Sequence, residues 1–273
     1  MSIFEAIVLG VVQGLTEFLP ISSSGHLVLF ESWFALDVEK LRSFDVVVHV
    51  GTLLAILIYF RNDFAKIIRD VLSGRFRMAV LLALGTIPAV IVGFLLGDLL
   101  DELFRDARTV AYTLIIFSLV FFIAEKFPKE KKYEFVNDEK LLERTGRENP
   151  KDFLVALFIG VLQALALIPG VSRSGATISA GLLMGFRRPE AARFSFILGS
   201  IAIFGAALLT AKDTAGGTLY VPPPAIFISG LIASALSGYL AVAFLMKFLR
   251  THTLYVFAFY RVLLGVVTLF ILS

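Results

Sequence analysis

Apolar residues run along the chain in long blocks rather than in strict alternation, and short polar clusters cut the blocks apart. Six blocks, residues 44–60, 78–97, 109–124, 193–209, 225–246 and 254–272, are long enough, or nearly so, to be membrane-crossing helices. The requirement is about 30 Å of hydrocarbon at about 1.5 Å per residue. Four shorter apolar pieces remain. Two of them, about 153–168 and 174–186, are interrupted at Pro169-Gly170. The piece from His26 to Leu36 would measure about 16 Å as a helix, too short to cross.

Loop charges give the blocks a direction. The loop after the first crossing carries Arg61, Lys66, Arg69, Arg75 and Arg77, and the segment from Glu125 to Lys151 carries eight Lys or Arg. Both are expected on the cytoplasmic side. Segments 98–108 and 210–224 then fall outside. Residues 152–192 must start and end inside, so they enter the membrane and return as a re-entrant helix pair. Three crossings, an odd number, separate Phe44 from Phe194. The N-terminal pieces therefore enter from the opposite side, an inverted-topology repeat whose two hairpin tips meet near mid-membrane. The expected fold is an all-α integral membrane protein of about six transmembrane helices plus two re-entrant helical hairpins. It forms a single polytopic domain over 1–273, with one half at about 1–124, a cytoplasmic loop at about 125–151 and a second half at about 152–273.

Composition agrees with this reading: 58% of residues are hydrophobic, 17% are charged and 27 are Phe, with a mean hydropathy of +0.87. No stretch has the makeup of a separate soluble domain. The net charge of +3 reads as Lys and Arg at anionic headgroups, and no basic run with interleaved aromatics points to nucleic acid. The absence of cysteine excludes disulfides, thiolate catalysis and Cys-ligated metals. The N-terminus lacks the basic stretch and small-residue cleavage site of a removable signal peptide, so none is expected.

The repeat is visible in the residues themselves. Gly10, Val11, Gln13, Leu15, Ser22, Ser24 and Gly25 recur, without a gap, as Gly160, Val161, Gln163, Leu165, Ser172, Ser174 and Gly175. A chance register would give roughly one or two such matches. The differences carry the chemistry: one copy has Glu17 and His26, the other Arg173 and Thr177.

Gln13 and Glu17 are four residues apart, on one helical face, and can address one ligand or ion. A carboxylate at that depth costs about 2.5–3.5 kcal/mol unless it meets a cation, a donor or water. It therefore marks either a site or an ion pair locking the two hairpins. After Pro20, the run Ser22-Ser23-Ser24-Gly25-His26 reads as a break and a helix start, where hydroxyls cap free N–H groups and the helix N-terminus attracts phosphate oxygens. The serines serve either as caps alone or as ligands too. His26 can take a proton from a nearby hydroxyl and return it to a leaving group. Arg173, between Ser172 and Ser174, brings a permanent multi-donor cation to the second break, for an anion or for neutralising Glu17. His49 is expected to be packed in its helix and His252 to be solvated. Asp45 and Arg261 either support the site from behind its primary residues or, as expected, snorkel or pair, and Arg187, Arg188 and Arg193 are expected to form a cytoplasmic anchor.

With these residues in place, the chain resembles the bacitracin-resistance type undecaprenyl-diphosphate phosphatases, integral membrane enzymes of the cell-envelope lipid-carrier cycle. Gln13 to Glu17 matches the family's (Glu or Gln)-x-x-x-Glu signature, Ser22 to His26 its Ser-Ser-x-Gly-His stretch, and Pro169 to Thr177 its Pro-Gly-x-Ser-Arg-Ser-x-x-Thr signature. Phe44-Asp45 and Tyr260-Arg261 look like the family as well, so the resemblance covers essentially the whole chain. It implies hydrolysis of undecaprenyl diphosphate to undecaprenyl phosphate and inorganic phosphate. That reaction would recycle the carrier for cell-wall synthesis and confer bacitracin resistance, at a plasma-membrane site opening to the extracytoplasmic side. It also implies a divalent cation, Mg²⁺ or Ca²⁺, with Glu17 as a protein ligand. Many relatives have a carboxylate where this chain has Gln13, so a two-carboxylate metal site is not implied.

By the same resemblance, Ser23 is the candidate nucleophile, His26 the base or acid, Glu17 the residue orienting His26 or a cation, and Arg173 the phosphate clamp. Ser22, Ser24, Ser172, Ser174 and Thr177 would bind phosphate oxygens, with Gln13 and Gln163 in support. Attack by Ser23 and attack by a His26-activated water both remain open. The implied partners are a polyprenyl diphosphate and the bilayer, and Gly and Ala in the later helices suit a homodimer. Broken helices in an inverted repeat are also a transporter plan, so a carrier or flippase of a phosphorylated lipid or small anion is the rival reading. The pairing of Glu17 with His26, acid–base equipment that anion binding does not require, favours the enzyme.

Overall fold

A computed structural model describes residues 1–33, 38–104, 106–127, 150–216 and 223–273. Most of the 125–151 loop lies outside these residues. The described chain forms eleven helices. The first half contains α1 (Ile3–Phe18), α2 (Ser23–Trp33), α3 (Val38–Tyr59), α4 (Arg61–Leu72), α5 (Arg77–Phe104) and α6 (Ala107–Lys126). The second contains α7 (Pro150–Leu165), α8 (Arg173–Leu183), α9 (Arg188–Ala215), α10 (Pro224–Phe248) and α11 (Tyr255–Ile271).

Length and apolar composition qualify four helices to cross a membrane: α5 over Arg77–Gly97, α6, α9 over Arg188–Lys212, and α10. A fifth follows if α3 and α4 count as one span, but they are bent by 78° where Tyr59 and Phe60 turn the chain. Helix α11 is apolar and 17 residues long, about 25 Å. The protein is thus an all-α, multi-span membrane protein. The expected short arms are matched pairs, 16 and 11 residues in α1 and α2 and again 16 and 11 in α7 and α8.

Helix α1 starts cleanly because Ser2 and Glu5 form a capping box: Glu5 N donates to Ser2 Oγ at 3.2 Å and Ser2 N to Glu5 Oε2 at 2.7 Å. It packs mainly outside its own half. Its principal partner is α10, while α7 packs chiefly on α5, so each half lends its first arm to a span of the other. The repeated glycines explain the close fit. A Cβ on Gly10 would lie 2.6 Å from Gly230 O, and one on Gly160 would lie 2.7 Å from Gly85 O. Lipid tails are as apolar as leucine, so such close backbone approach, rather than hydrophobic exclusion, holds these helices together.

Ion pairs between the halves gather at the end of the bundle where α5, α7 and α9 begin and α6 ends. Arg77 pairs with Asp152, Arg193 with Asp63, and Arg188 with Glu125 at 2.6 Å. Arg188 and Arg193, expected as a headgroup anchor, are therefore taken up in tertiary pairs, and Arg187 pairs locally with Glu190. The reason is that acidic partners from the first half sit within reach of the α9 N-terminus. The Glu125 carboxylate, fully buried, also accepts the Leu254 N–H at 2.8 Å and so anchors the start of α11.

Substituting Glu125→Ala removes the acceptor for both Arg188 and the Leu254 amide. The variant is expected to lose on the order of 3 kcal/mol, seen as a clear drop in Tm of the detergent-solubilised protein. An unchanged Tm would contradict the role given to this pair.

Candidate active site

The two breaks fold almost identically. Ser22 and Ser172 are the positive-φ non-glycine residues of the described chain, at +75° and +76°. Such backbone costs about 1–3 kcal/mol and persists only where the surroundings impose it. In each break the serine hydroxyl caps the following helix, accepting from Gly25 N at 3.3 Å and from Gly175 N at 3.1 Å. The second hydroxyl, Ser24 or Ser174, lies 3.4 or 3.3 Å from the first. Helices α2 and α8 thus present their N-terminal N–H groups next to these hydroxyls, an arrangement that attracts an anion.

The tips touch, since Ser174 Oγ donates to Leu19 O across the breaks at 3.3 Å. Glu17, at the end of α1, meets the second hairpin directly: Arg173 Nη2 donates to its Oε1 at 2.5 Å. Its Oε2 accepts from Ser23 Oγ at 2.6 Å and from Gln13 Nε2 at 2.9 Å. Arg173 Nη1 is tied to Gly199 O at 2.6 Å. The two readings of Glu17, as site residue and as lock between hairpins, are therefore one network. A serine hydroxyl, a carboxylate and a guanidinium converge where two helix N-termini aim.

Three placements differ from the expectations. Glu17 bonds Ser23 rather than orienting His26. Instead, His26 sets its Nδ1 2.7 Å from Ser22 O and its Nε2 2.8 Å from Tyr260 Oη. The break turns α2 so that His26 faces α11, while Ser23, three residues earlier, faces α1. His49 is not packed away. Its Nε2 lies 3.6 Å from Glu17 Oε2 with the side chain 31% exposed, and its Nδ1 contacts Asp45 O at 2.6 Å. Arg261 does not snorkel, and among the described residues it forms no ion pair. It is completely buried and donates to Val171 O at 2.9 Å, Gly170 O at 3.0 Å and Leu114 O at 3.4 Å. The broken helix leaves the Gly170 and Val171 carbonyls without intrahelical donors, and a planar guanidinium carries enough N–H groups to meet them.

The remaining candidates divide. Ser24 is exposed, whereas Ser22, Ser172 and Ser174 are buried at the tips. Thr177 is buried behind the loop, donating to Arg173 O at 2.8 Å and lying 2.5 Å from Ser195 Oγ, so it braces the first turn of α8. Gln163 turns to α5 and donates to Gly85 O at 3.0 Å, where its counterpart Gln13 serves Glu17.

Among the described residues no cluster of three or more His, Cys, Asp or Glu assembles. The buried Gln13 Oε1 is, however, an acceptor without a partner next to the Glu17 carboxylate. An amide oxygen and a carboxylate are hard donors of the kind Mg²⁺ and Ca²⁺ take, so the residues present fit such an ion in company with ligand oxygens. Tyr260, His49 and the buried role of Arg261 are the parts that sequence reasoning missed. The available signal was the presence of a histidine and an arginine inside apolar runs, which is costly without a partner.

Comparison with known proteins bears on this site. Residues 6–267 match the family described as bacitracin resistance protein BacA. An undecaprenyl-diphosphatase of Halothermothrix orenii is 41% identical, covering 97% of this chain and 96% of its own length. The undecaprenyl-diphosphatase of Rubrobacter xylanophilus is 38% identical, with 96% and 95% covered. That of Thermomicrobium roseum is 39% identical, with 100% and 99% covered.

The second break offers a direct test of the geometry. Gly170 has φ +92°, and a Cβ there would lie 1.9 Å from Thr113 Oγ1 and 2.9 Å from Val110 O. Gly170→Ala combines backbone strain with overpacking, each costing on the order of 1–3 kcal/mol. A marked fall in Tm and in monodisperse yield is expected, and parental stability in both measurements would show that the loop is not held as described.

Proposed function

The chain belongs to the bacitracin resistance protein BacA family, and on that premise we propose that it is a membrane-embedded phosphatase that hydrolyses undecaprenyl diphosphate to undecaprenyl phosphate and inorganic phosphate. The observation that carries this reading is the Ser23–Glu17–Arg173 network joining the two hairpin tips, with Ser23 Oγ 2.6 Å from a carboxylate oxygen. A C55 lipid diphosphate needs an apolar approach for its tail and a cationic, donor-rich pocket for its head. Exposed Val11 and Leu15 on α1, and Val161 and Leu165 on α7, give apolar flanks leading towards the two tips.

The chemistry then follows from the residues. Ser23 Oγ attacks the terminal phosphorus while its proton passes to Glu17 Oε2, and the bond from phosphorus to the bridging oxygen breaks to release undecaprenyl phosphate. Water then cleaves the phosphoserine, with His26 as the acid–base group, to give inorganic phosphate and free Ser23. Arg173 and the N–H groups and hydroxyls of both breaks stabilise the charge on the phosphoryl oxygens, the term expected to dominate in phosphoryl transfer. In this reading Arg173 exchanges Glu17 for the substrate anion, freeing the carboxylate as a base. A Mg²⁺ or Ca²⁺ ion held by Glu17 and Gln13 would supply further neutralisation of the diphosphate.

The proposed topology is six crossings with two re-entrant hairpins, α1–α2 and α7–α8, entering from opposite faces. The basic loops lie in the cytoplasm and the site opens to the extracytoplasmic side. The matched 16- and 11-residue arms support the hairpin reading.

Arg173→Ala and His26→Ala are each expected to abolish phosphate release from undecaprenyl diphosphate in detergent while the protein stays folded. Near-normal turnover in either sinks the assignment. Acid-quenched turnover with labelled substrate should leave phosphate on Ser23. If no label is trapped and Ser23→Ala retains substantial activity, direct attack by water replaces the serine route. Translocation of the lipid headgroup in liposomes without hydrolysis would instead favour a carrier.

A further inference from the structure

His26 is held at both nitrogens, and the second holder is a residue the proposed mechanism leaves unused. A backbone carbonyl can only accept, so the 2.7 Å contact between Nδ1 and Ser22 O requires the proton to be on Nδ1. In the neutral ring Nε2 then carries the lone pair, and the Tyr260 hydroxyl, 2.8 Å away, must be the donor. The two rings are also parallel, with centroids 5.7 Å apart and planes at 4°. His26 itself is nearly buried, whereas Tyr260 is exposed along one side.

Tyr260 does not act from an independent scaffold. The next residue on α11 is Arg261, which grips Gly170 O and Val171 O at the second break. Two successive residues of α11 thus hold the two hairpins, one through the imidazole of α2 and the other through the loop leading to Arg173. Helix α11 packs mainly on α6, whose Thr113 donates to Pro169 O at 2.7 Å in the same loop. The α11 frame therefore ties the position of His26 to that of the phosphate-holding loop.

We propose that Tyr260 is a positioning residue, whose hydroxyl donates to Nε2 and, together with the Ser22 carbonyl on Nδ1, holds the orientation of His26, the Nε2 lone pair serving as the base in the phosphoryl-transfer cycle once that hydroxyl turns away. The proposal rests on the acid–base role given to His26 above. It differs from a packing role in one respect: the hydroxyl, not the ring, is what matters. Outer hydrogen-bond partners of metal-ligating histidines contribute a factor of about 10–100 to activity, and the same order is expected for the partner of this acid–base histidine.

Tyr260→Phe keeps the ring and removes only the hydroxyl. With undecaprenyl diphosphate as substrate, kcat is expected to fall about 10–100-fold while KM and Tm stay at the parental values, the signature of a lost chemical rather than binding contribution. In protein carrying ¹⁵N-labelled histidine, the parent should show one His26 tautomer with Nδ1 protonated. The variant should show a shifted Nε2 resonance or a mixture of tautomers. Parental kcat and an unchanged spectrum in Tyr260→Phe, alongside an inactive His26→Ala, would overturn the positioning role and leave the phosphatase reading intact. Should Tyr260→Phe prove unstable, the tautomer seen in the parent decides: a ring protonated on Nε2 overturns the proposal. Full activity in His26→Ala would remove the role of His26 and this inference with it.

Discussion

A helix broken among closely packed apolar helices must find protein partners for the peptide groups that the break releases, because apolar surroundings offer none. The breaks at residues 19–22 and 168–172 meet this constraint with donors from the following helix and from elsewhere in the fold. Leu19 O accepts from Ser174 of the opposite hairpin, and Ser22 O from the His26 ring and its backbone N–H. At the second break Pro169 O accepts from Thr113, and Gly170 O and Val171 O from Arg261. The first break thus depends on the opposite tip, and the second on α6 and α11.

The same economy governs charge. Glu17 and Arg173 would each be expensive alone in these apolar surroundings, and together they neutralise one another across the contact between the two breaks at 2.5 Å. A buried pair of this type contributes little net stability, since desolvation offsets most of the attraction. In the proposed mechanism its usefulness is chemical: the pair holds a cation and a carboxylate ready for an anionic headgroup, and binding of that headgroup by Arg173 would free Glu17 as a base beside Ser23.

The repeat supplies this arrangement by specialising two equivalent copies. Both breaks keep the positive-φ serine, the capping hydroxyl and the helix N-terminus. Around that shared frame the first copy retains Glu17, Ser23 and His26, and the second Arg173. Gln13 and Gln163 show how far the copies have diverged: the first amide supports Glu17, while the second joins α7 to α5 through Gly85 O. Interlocking of the halves, with α1 on α10 and α7 on α5, keeps the tips in contact. A half on its own would lack both the opposite tip and the span against which its first arm packs.

Much of this was legible in the sequence. Apolar block length, the break residues Pro20, Pro169 and Gly170, the doubled motif and the cost of charges in hydrocarbon are local or pairwise properties of residue type. They determine that the chain is a multi-span helical membrane protein with two polar breaks, and they single out Glu17, His26 and Arg173 as candidates, to which the family resemblance adds Ser23. Tertiary structure alone decided which of these residues touch. Tyr260 meets His26 across 234 positions, Arg261 reaches carbonyls 90 and 91 residues away, and His49 turns towards Glu17 instead of into its own helix packing. These pairings depend on the rotation of each helix about its axis and on the close approach permitted at Gly10 and Gly160. A hydrophobic pattern that is apolar on nearly every side leaves helix rotation undetermined, so it is settled by packing and hydrogen-bond satisfaction in the assembled bundle.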